Sequence, residues 1–489
     1  MKAYVLALDV GTSSLKAVVY AFDGKILASE SRSYQHHTPQ PGWAEASPNE
    51  WKSAMEACLS QLAENTSLLA QVEVVALTGQ MHTAVLLDEN LIPLDPTILW
   101  LDRRSIEETS TLQEVFKLPP YQLNSTYTLP KLYWMRKHLP ETVAKAKHIL
   151  WPKDYLRFLL TGEILTDITE PGGAALLDWE TLDWARDRLA YIDIDPEILP
   201  PILQPEDEAG VLLPAIAEKY GINPKAKVIA GAGDVIALIS GAPPKKGRLN
   251  CSLGSSSMIF TALEKHESIV DPLQRIYTYP LLRVPMLGGV SSTTGAALQW
   301  AWKNFYPETT FADAITQALK VNAGCDGLFF LPFLSGERTP FWNDQLRGSF
   351  HGVSLSHTRA HFLRAVMEGV GMSLAYILDI FEDVNIKINE ITLAGGGTNT
   401  PGWPQLISDI CQLPVSVYTG QETVTHALFA YACLAMKNGR TFDQALQATF
   451  EQPVNIVPDQ QKIEIYQPLF VNYKLQAEFN LKQSTQKIK

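Results

Sequence analysis

The chain reads as an α/β protein built from two similar halves, and three observations predict it. An apolar run, Tyr4 to Leu8, ends in the turn Asp9-Val10-Gly11-Thr12-Ser13-Ser14 and is followed by Lys16 and a second apolar run, Ala17 to Tyr20. The same design returns far along the chain, where Leu249 to Leu253 enters Gly254-Ser255-Ser256-Ser257 and Met258 to Leu263 leaves it. A third glycine turn, Gly395-Gly396-Gly397, follows the strand-like Glu390 to Ala394 and precedes a helical stretch around Trp403 to Cys411. Strand, glycine turn and helix in that order is a nucleotide-binding arrangement.

The first two turns are predicted to be tips of β-hairpins. Glycine lets main-chain N–H groups approach an anion, and the hydroxyls of Thr12 and Ser13 with Lys16 add donors that bulkier side chains would block. Asp9 is then placed to hold a metal ion. Gly, Ser and Thr also fill ordinary hairpin turns, so one copy alone says little. Its recurrence in the other half is what points to a polyphosphate.

Between the turns, Ser47-Pro48-Asn49-Glu50 has the pattern of a capping box with Pro at the first helical position, which predicts a helix from about Pro48 to Ala63. The run Val72 to Leu77 predicts a strand that ends in Thr78-Gly79-Gln80-Met81-His82, followed by a second strand, Ala84 to Leu87. Helices are expected over Pro130 to His138 and Lys153 to Leu160, with Trp134 and Tyr155 on their apolar faces, and a buried strand over Lys227 to Ala230. The Pro-Pro pair within Gly241 to Gly247 marks the linker between domains of similar size, residues 1–242 and 243–489.

Composition agrees with an enzyme. A chain of 489 residues exceeds what one core usually supports, and 46% hydrophobic residues suffice for two. No apolar run has the length of a membrane span, and Met1-Lys2 leads straight into the first strand rather than into a signal segment. The five cysteines are scattered, with no zinc spacing, and suit a reducing cytoplasm. A net charge of -12 disfavours a nucleic-acid partner, whereas main-chain donors and a divalent cation still allow an acidic protein to bind a nucleotide.

Gly231-Ala232-Gly233-Asp234 follows the Lys227 strand and precedes the helical Val235 to Ser240. Two readings of Asp234 stand together. It can cap the helix, and it can act as a general base that takes a proton from an alcohol while the oxygen attacks phosphorus.

The chain resembles the FGGY carbohydrate kinases over nearly its whole length. The resemblance is carried by Asp9 to Ser14 with Lys16, Gly79 to His82, Trp100-Leu101-Asp102-Arg103-Arg104, Pro130 to Trp134, Gly231 to Asp234, Leu253 to Ser256 and Gly395 to Gly397. Gly336-Glu337-Arg338-Thr339-Pro340, Arg347 to Val353 and Arg364 to Gly369 are its most specific parts. It implies a duplicated actin-like ATPase fold, related to ribonuclease H, with a catalytic cleft between the domains, and ATP- and Mg2+-dependent phosphorylation of a sugar or polyol hydroxyl. By matched position it implies Asp234 as the base, and Asp9 with Asp234 as the metal-associated carboxylates. Gly11, Thr12, Ser13, Lys16, Gly254, Ser255 and Ser256 would hold phosphates, while Gly295, Gly395, Gly396, Gly397 and Asn399 would border the nucleotide. Gln80, Met81, His82, Asp102 and Asp234 would contact the sugar.

Gln80-Met81-His82 and Pro130-Lys131-Leu132-Tyr133-Trp134 resemble xylulokinases most and favour a ketopentose, D-xylulose, as acceptor. Thr83, where xylulokinases have glycine, resembles some gluconokinases, and Leu101 and Arg103 also depart from xylulokinase wording. His426 stands where relatives often have glycine packed between helices, which implies a looser contact there. Trp43, Trp51, Trp100 and Trp134 are read as packing residues, and Glu337 with Arg338 as a structural ion pair. A homodimer is neither required nor excluded. The reading from another class is a nucleotide-driven switch on the same actin-like fold, which would need no sugar pocket.

Overall fold

The computed structural model describes residues 3–241, 245–264, 269–279, 285–418, 423–437, 439–450 and 452–486. The chain divides into two compact units, Met1–Pro243 with Thr423–Phe450 and Pro244–Glu422 with Glu451–Lys489. The boundary expected at 242/243, with the Pro-Pro pair of the linker, lies outside the described residues. Thr423–Phe450, which a contiguous division assigns to the second half, belongs to the first unit.

Each unit is built on a seven-stranded sheet, and the two sheets repeat one topology. In the first, the strand Tyr4–Val10 pairs antiparallel with Ser14–Ala21 and parallel with Val72–Gly79. The order across the sheet runs from Ile26–Ser33 through Ser14–Ala21, Tyr4–Val10, Val72–Gly79 and Lys227–Ile229 to Glu208–Val211, with Ala232–Gly233 also on Val72–Gly79. In the second, Arg248–Ser252 pairs antiparallel with Ser257–Ala262 and parallel with Glu390–Ala394. Met286–Ser291 and Tyr277–Tyr279 extend that sheet on one side, and Val415–Val417 and Val454–Ile456 extend it on the other. Both hairpin tips are therefore at the glycine turns, as the sequence predicts.

The apolar content explains the layering. Tyr4–Val10 and Val72–Gly79 are almost wholly buried, which is what a central strand covered on both faces requires. The helix Pro48–Asn65 turns Trp51, Met55, Cys58, Leu59 and Leu62 inward. Its Ser47 makes no side-chain cap, contrary to the expected capping box. The Ser47 carbonyl takes the Glu50 N–H at 2.9 Å instead, and Pro48 already fixes the first turn. In the second unit the helix Arg359–Asp383 is the core element, with buried residues from Leu363 to Phe381. Gly369 permits its closest approach, since a Cβ there would stand 2.2 Å from the Phe330 carbonyl oxygen.

The helix Thr423–Ala435 packs against the first sheet. Phe429 lies 5.2 Å from the Tyr20 ring, the Tyr20 hydroxyl meets Thr425 Oγ1 at 2.6 Å, and the Tyr431 hydroxyl donates to Ser240 Oγ. Further on, Gly24 admits the Ala448 carbonyl where a Cβ would be 2.4 Å away. His426 is buried in this interface, edge-on to Tyr20 at 6.1 Å and to Phe450 at 5.3 Å. A bulky ring fills the place expected to be loosened, so packing here is close. Among the described residues no helix is long and apolar enough to cross a membrane.

Candidate active site

In the first unit the strand ends bring three sequence-distant segments together. Asp9 is the cross-strand partner of Lys16 on one side and of Thr78 on the other. Directly opposite residues share a face, so Asp9 and Lys16 flank the turn as a charged pair of positions. The turn closes with Gly11 N–H on the Ser14 carbonyl at 3.0 Å. The Gly11 carbonyl accepts from the Tyr34 hydroxyl at 2.5 Å and from Gln80 Nε2 at 3.4 Å. Ser13 is exposed, and Thr12 is fixed by Trp100, whose Nε1–H donates to its Oγ1 at 2.9 Å. Trp100 therefore does more than pack, and Tyr34, which no motif singles out, braces the turn through its hydroxyl.

Val72–Gly79 delivers Gln80, Met81 and His82 beside that turn, and the Gln80 N–H donates to the Val10 carbonyl at 2.8 Å. Two glycines make room for Met81. A Cβ on Gly173 would lie 2.2 Å from Met81 Cε, and one on Gly233 would lie 2.4 Å from Met81 Cγ. His82 takes a left-handed backbone, φ 66°, and its ring sits 4.9 Å from Tyr127. The Gly172-Gly173 pair inside the short helix Thr169–Ala174 is the sequence signal that could have revealed the Met81 slot, because glycine is poor in a helix interior without a packing reason.

Ala232–Gly233 runs alongside Thr78–Gly79, so Asp9 and Asp234 flank the same strand end. Asp234 is the first residue of the helix Asp234–Ser240, one place beyond the cap, which is Gly233. Its carboxylate accepts the Val235 N–H at 2.7 Å and the Met81 N–H. Burial pushes the Asp234 carboxyl up to about 6, and these N–H bonds hold it below where burial alone would place it.

Two of the expected sugar contacts have other partners. Asp102 is fully buried, with one oxygen on the Ala44 N–H at 2.5 Å and both oxygens on the Arg104 guanidinium. Arg104 in turn lies over the Trp43 ring at 3.7 Å and pairs with Glu45. A carboxylate occupied in this way braces a loop and has no face for a ligand. Gln80 is likewise fully buried and joins its own loop to the Gly11 turn.

The second unit assembles its own set. Behind the exposed Gly254 and Ser255, the first N–H groups of the helix Gly295–Phe305 and the residue before it bond to the turn: Gly295 to the Gly254 carbonyl at 2.8 Å, Thr294 and Ala296 to the Ser255 carbonyl. Gly295 has to be glycine, because a Cβ would stand 2.5 Å from the Gly254 oxygen. The Gly397 N–H donates to the Leu253 carbonyl at 2.8 Å, which sets Gly395-Gly396-Gly397 against the same turn. Gly396 and Asn399 face outward. Ser256 closes the turn through its carbonyl, which takes the Gly254 N–H at 3.2 Å. The turns thus offer an outer rim of small residues tied down from behind, suited to a phosphate chain.

Glu337 differs from the expected ion pair. It is buried and takes the main-chain N–H groups of Ser292 at 2.6 Å and Arg338 at 2.9 Å, with Ser291 Oγ at 3.2 Å. Burial pushes its carboxyl up to about 7. Its role is to fasten the segment that leads into Thr294 and Gly295.

Among the described residues no cluster of three or more histidine, cysteine or acidic side chains could hold a metal by itself. That donor set fits Mg2+, which binds through one or two carboxylates and completes its shell with water and substrate phosphate. Asp9 and Asp234 are the carboxylates available at this strand end.

Comparison with known proteins agrees with this duplicated architecture. The model of the FGGY family of carbohydrate kinases, N-terminal domain, matches residues 4–241, and that of its C-terminal domain matches residues 249–436. The chain is 29% identical over 478 residues to a xylulose kinase of Bacillus subtilis, covering 96% of both chains. Crystal structures of a ligand-bound xylulose kinase and of a gluconate kinase, both from Lactobacillus acidophilus, each superpose with a TM-score of 0.90, at 26% and 25% identity. They cover 100% and 99% of this chain and all of the other. These matches set aside the switch protein as the reading from another class. With family models spanning both halves, the chain belongs to the FGGY family of carbohydrate kinases.

Proposed function

We propose that this carbohydrate kinase transfers the γ-phosphoryl group of ATP to a hydroxyl of D-xylulose, giving D-xylulose 5-phosphate and ADP. The observation that carries the reading is Asp234: a half-buried carboxylate at a helix start, beside Met81 and His82, with its carboxyl pushed up to about 6. A base of that strength is ionised at neutral pH yet able to accept a proton as the alcohol loses it. The hydroxyl proton passes to an Asp234 oxygen, the alkoxide oxygen bonds to the γ-phosphorus, and the bond from that phosphorus to the bridging oxygen breaks as ADP leaves. Mg2+, when bound, neutralises phosphate charge; Asp9 and Asp234 are the residues that would hold it. Within the first unit the turn at Gly11 to Ser13 with Lys16 is suited to bind phosphate, and within the second unit the turns at Gly254 to Ser256, Gly295 and Gly395 to Asn399 are suited to bind phosphate and nucleotide. Met81 and His82 orient the sugar, whereas Gln80 and Asp102 support the loops that carry them.

A second acceptor, D-gluconate, is favoured by one observation. Thr83 is fully buried and its hydroxyl has no hydrogen-bond partner among the described residues, directly after His82. The test is ADP release with ATP and Mg2+ against D-xylulose, D-ribulose, L-ribulose, D-gluconate, glycerol and erythritol, with a no-sugar control. Stimulation by D-xylulose above the rest is expected; stimulation by D-gluconate alone would replace it. Asp234→Ala is expected to lower turnover by at least about a thousandfold while nucleotide binding persists. Near-normal turnover would remove Asp234 from the chemistry.

A further inference from the structure

Asp234 follows a buried, glycine-rich segment. Gly231, at φ +73°, and Gly233 flank Ala232, and each glycine is required by close packing, Gly231 because a Cβ would lie 1.8 Å from the Leu77 carbonyl oxygen. The pairing of Ala232–Gly233 with Thr78–Gly79 and the N–H groups on its carboxylate hold Asp234 in part, and the buried Gly233 amide still needs a partner of its own.

A buried relay meets that need. The Gly233 N–H donates to Thr169 Oγ1 at 2.8 Å, and Thr169 Oγ1 donates to Asp167 Oδ1 at 2.5 Å. Asp167 Oδ2 forms an ion pair with Lys153 Nζ at 2.5 Å, and Lys153 also pairs with Asp154 at 2.5 Å. The Lys153 main chain is packed onto Gly79, where a Cβ would be 3.2 Å from the Lys153 main-chain nitrogen. Lys153, Asp154, Asp167 and Thr169 are all but inaccessible to solvent.

The direction of each bond is forced. An amide N–H only donates and an ionised carboxylate only accepts, so the hydroxyl gives its proton to Asp167 and turns a lone pair to Gly233. In a dry interior such a chain is stronger than in water, and loss of the hydroxyl strands the Gly233 N–H, while Asp167 Oδ1 keeps the Thr169 main-chain N–H at 2.8 Å.

We propose that Thr169 is a positioning residue for Asp234, its hydroxyl clamping the Gly233 amide so that the adjoining carboxylate faces the reacting hydroxyl. This rests on the reading of Asp234 as the base. Thr169 is buried beneath the segment that carries Asp234, and removal of its hydroxyl acts on the rate of the chemical step rather than on binding.

The test is steady-state kinetics and hydrogen exchange on the full chain with Thr169→Val and Thr169→Ser. Valine keeps the shape and loses the hydroxyl; serine keeps the hydroxyl and loses a methyl. Thr169→Val is expected to lower kcat about 30- to 100-fold, with KM for sugar and for ATP changed less than about threefold, since small misplacement of a reacting group has effects of that size. Thr169→Ser is expected to recover most of the rate. The amides of residues 233–235 are expected to exchange faster in the valine variant and at the normal rate in the serine variant. Unchanged kcat in the valine variant, a change confined to KM, or equal loss in both variants would overturn the proposal. If Thr169→Val does not fold, Thr169→Ser decides: wild-type-like rate and protection support the clamp, and loss of either overturns it. Asp234→Ala measured in parallel reports on the base separately, while the exchange of residues 233–235 tests the clamp whichever residue is the base.

Discussion

At the scale of single residues, the site depends on carboxyl groups whose surroundings differ. Asp102 is paired with Arg104 and locked away, Glu337 is buried and fastened to main-chain N–H groups and the Ser291 hydroxyl, and Asp234, half-buried at a helix start, accepts main-chain N–H groups and is pushed up to about 6 by burial. A base must be ionised to work, so kcat/KM is expected to fall about tenfold per pH unit as the medium drops below about 6, and to be flat above it. A pH profile of kcat/KM checks this; an acid limb centred near 4 would show that Asp234 is not the titrating base. His426 makes the opposite kind of prediction, about stability. Burial holds its imidazole down at about 4, so the unfolded chain binds the proton more readily. The associated stability is complete above about 6.5 and is lost as pH falls from there toward 4, by about 3 kcal/mol in all. Urea titrations at pH 7 and pH 4.5 should show that loss in the native protein and a smaller one in His426→Phe.

At the scale of elements, glycine turns are where sequence and structure correspond most directly. The two hairpin tips and the strand, turn and helix at Gly395 were legible because glycine and small hydroxyl residues between apolar runs have few other uses. The box at Ser47 was misread because its side chain does not reach the helix, although the helix itself begins at Pro48 as predicted. The Thr169 relay could not be read at all, since it joins residues more than sixty positions apart, and of the Met81 slot the only sign in the sequence is the Gly172-Gly173 pair within a short helix. Within the Gly395 turn the glycines are unequal. A Cβ on Gly397 would be 2.7 Å from Leu253 Cβ and 2.9 Å from its carbonyl oxygen, whereas Gly396 has open space around it. Gly397→Ala is expected to destabilise the second unit by about 1–3 kcal/mol and Gly396→Ala by much less, measured by denaturant titration. Equal effects would mean that conformational freedom, not space, selects these residues.

For the whole molecule, the repeated sheet topology accounts for two domains of similar design from one chain. What the sequence concealed is that the units are not consecutive. Nothing in the wording of Thr423–Phe450 distinguishes a helix that packs on Tyr20 from one that packs on a nearer strand, because both need only an apolar stripe. The consequence is testable: a fragment of residues 1–241 lacks the segment Thr423–Phe450 that covers Tyr20 and Gly24, and it is expected to show a non-cooperative urea transition and rapid proteolysis beside the full chain. A cooperative, protease-resistant fragment would mean the segment is dispensable. The same feature sets a timetable during synthesis. The first unit waits for residue 450, and at about 5–20 residues per second the ribosome needs roughly 10–40 s after residue 242 to supply it. Through that interval the surface around Tyr20 is uncovered while most of the other unit is being made, so the unit begun first is completed only shortly before the second, whose last segment is Glu451–Lys489.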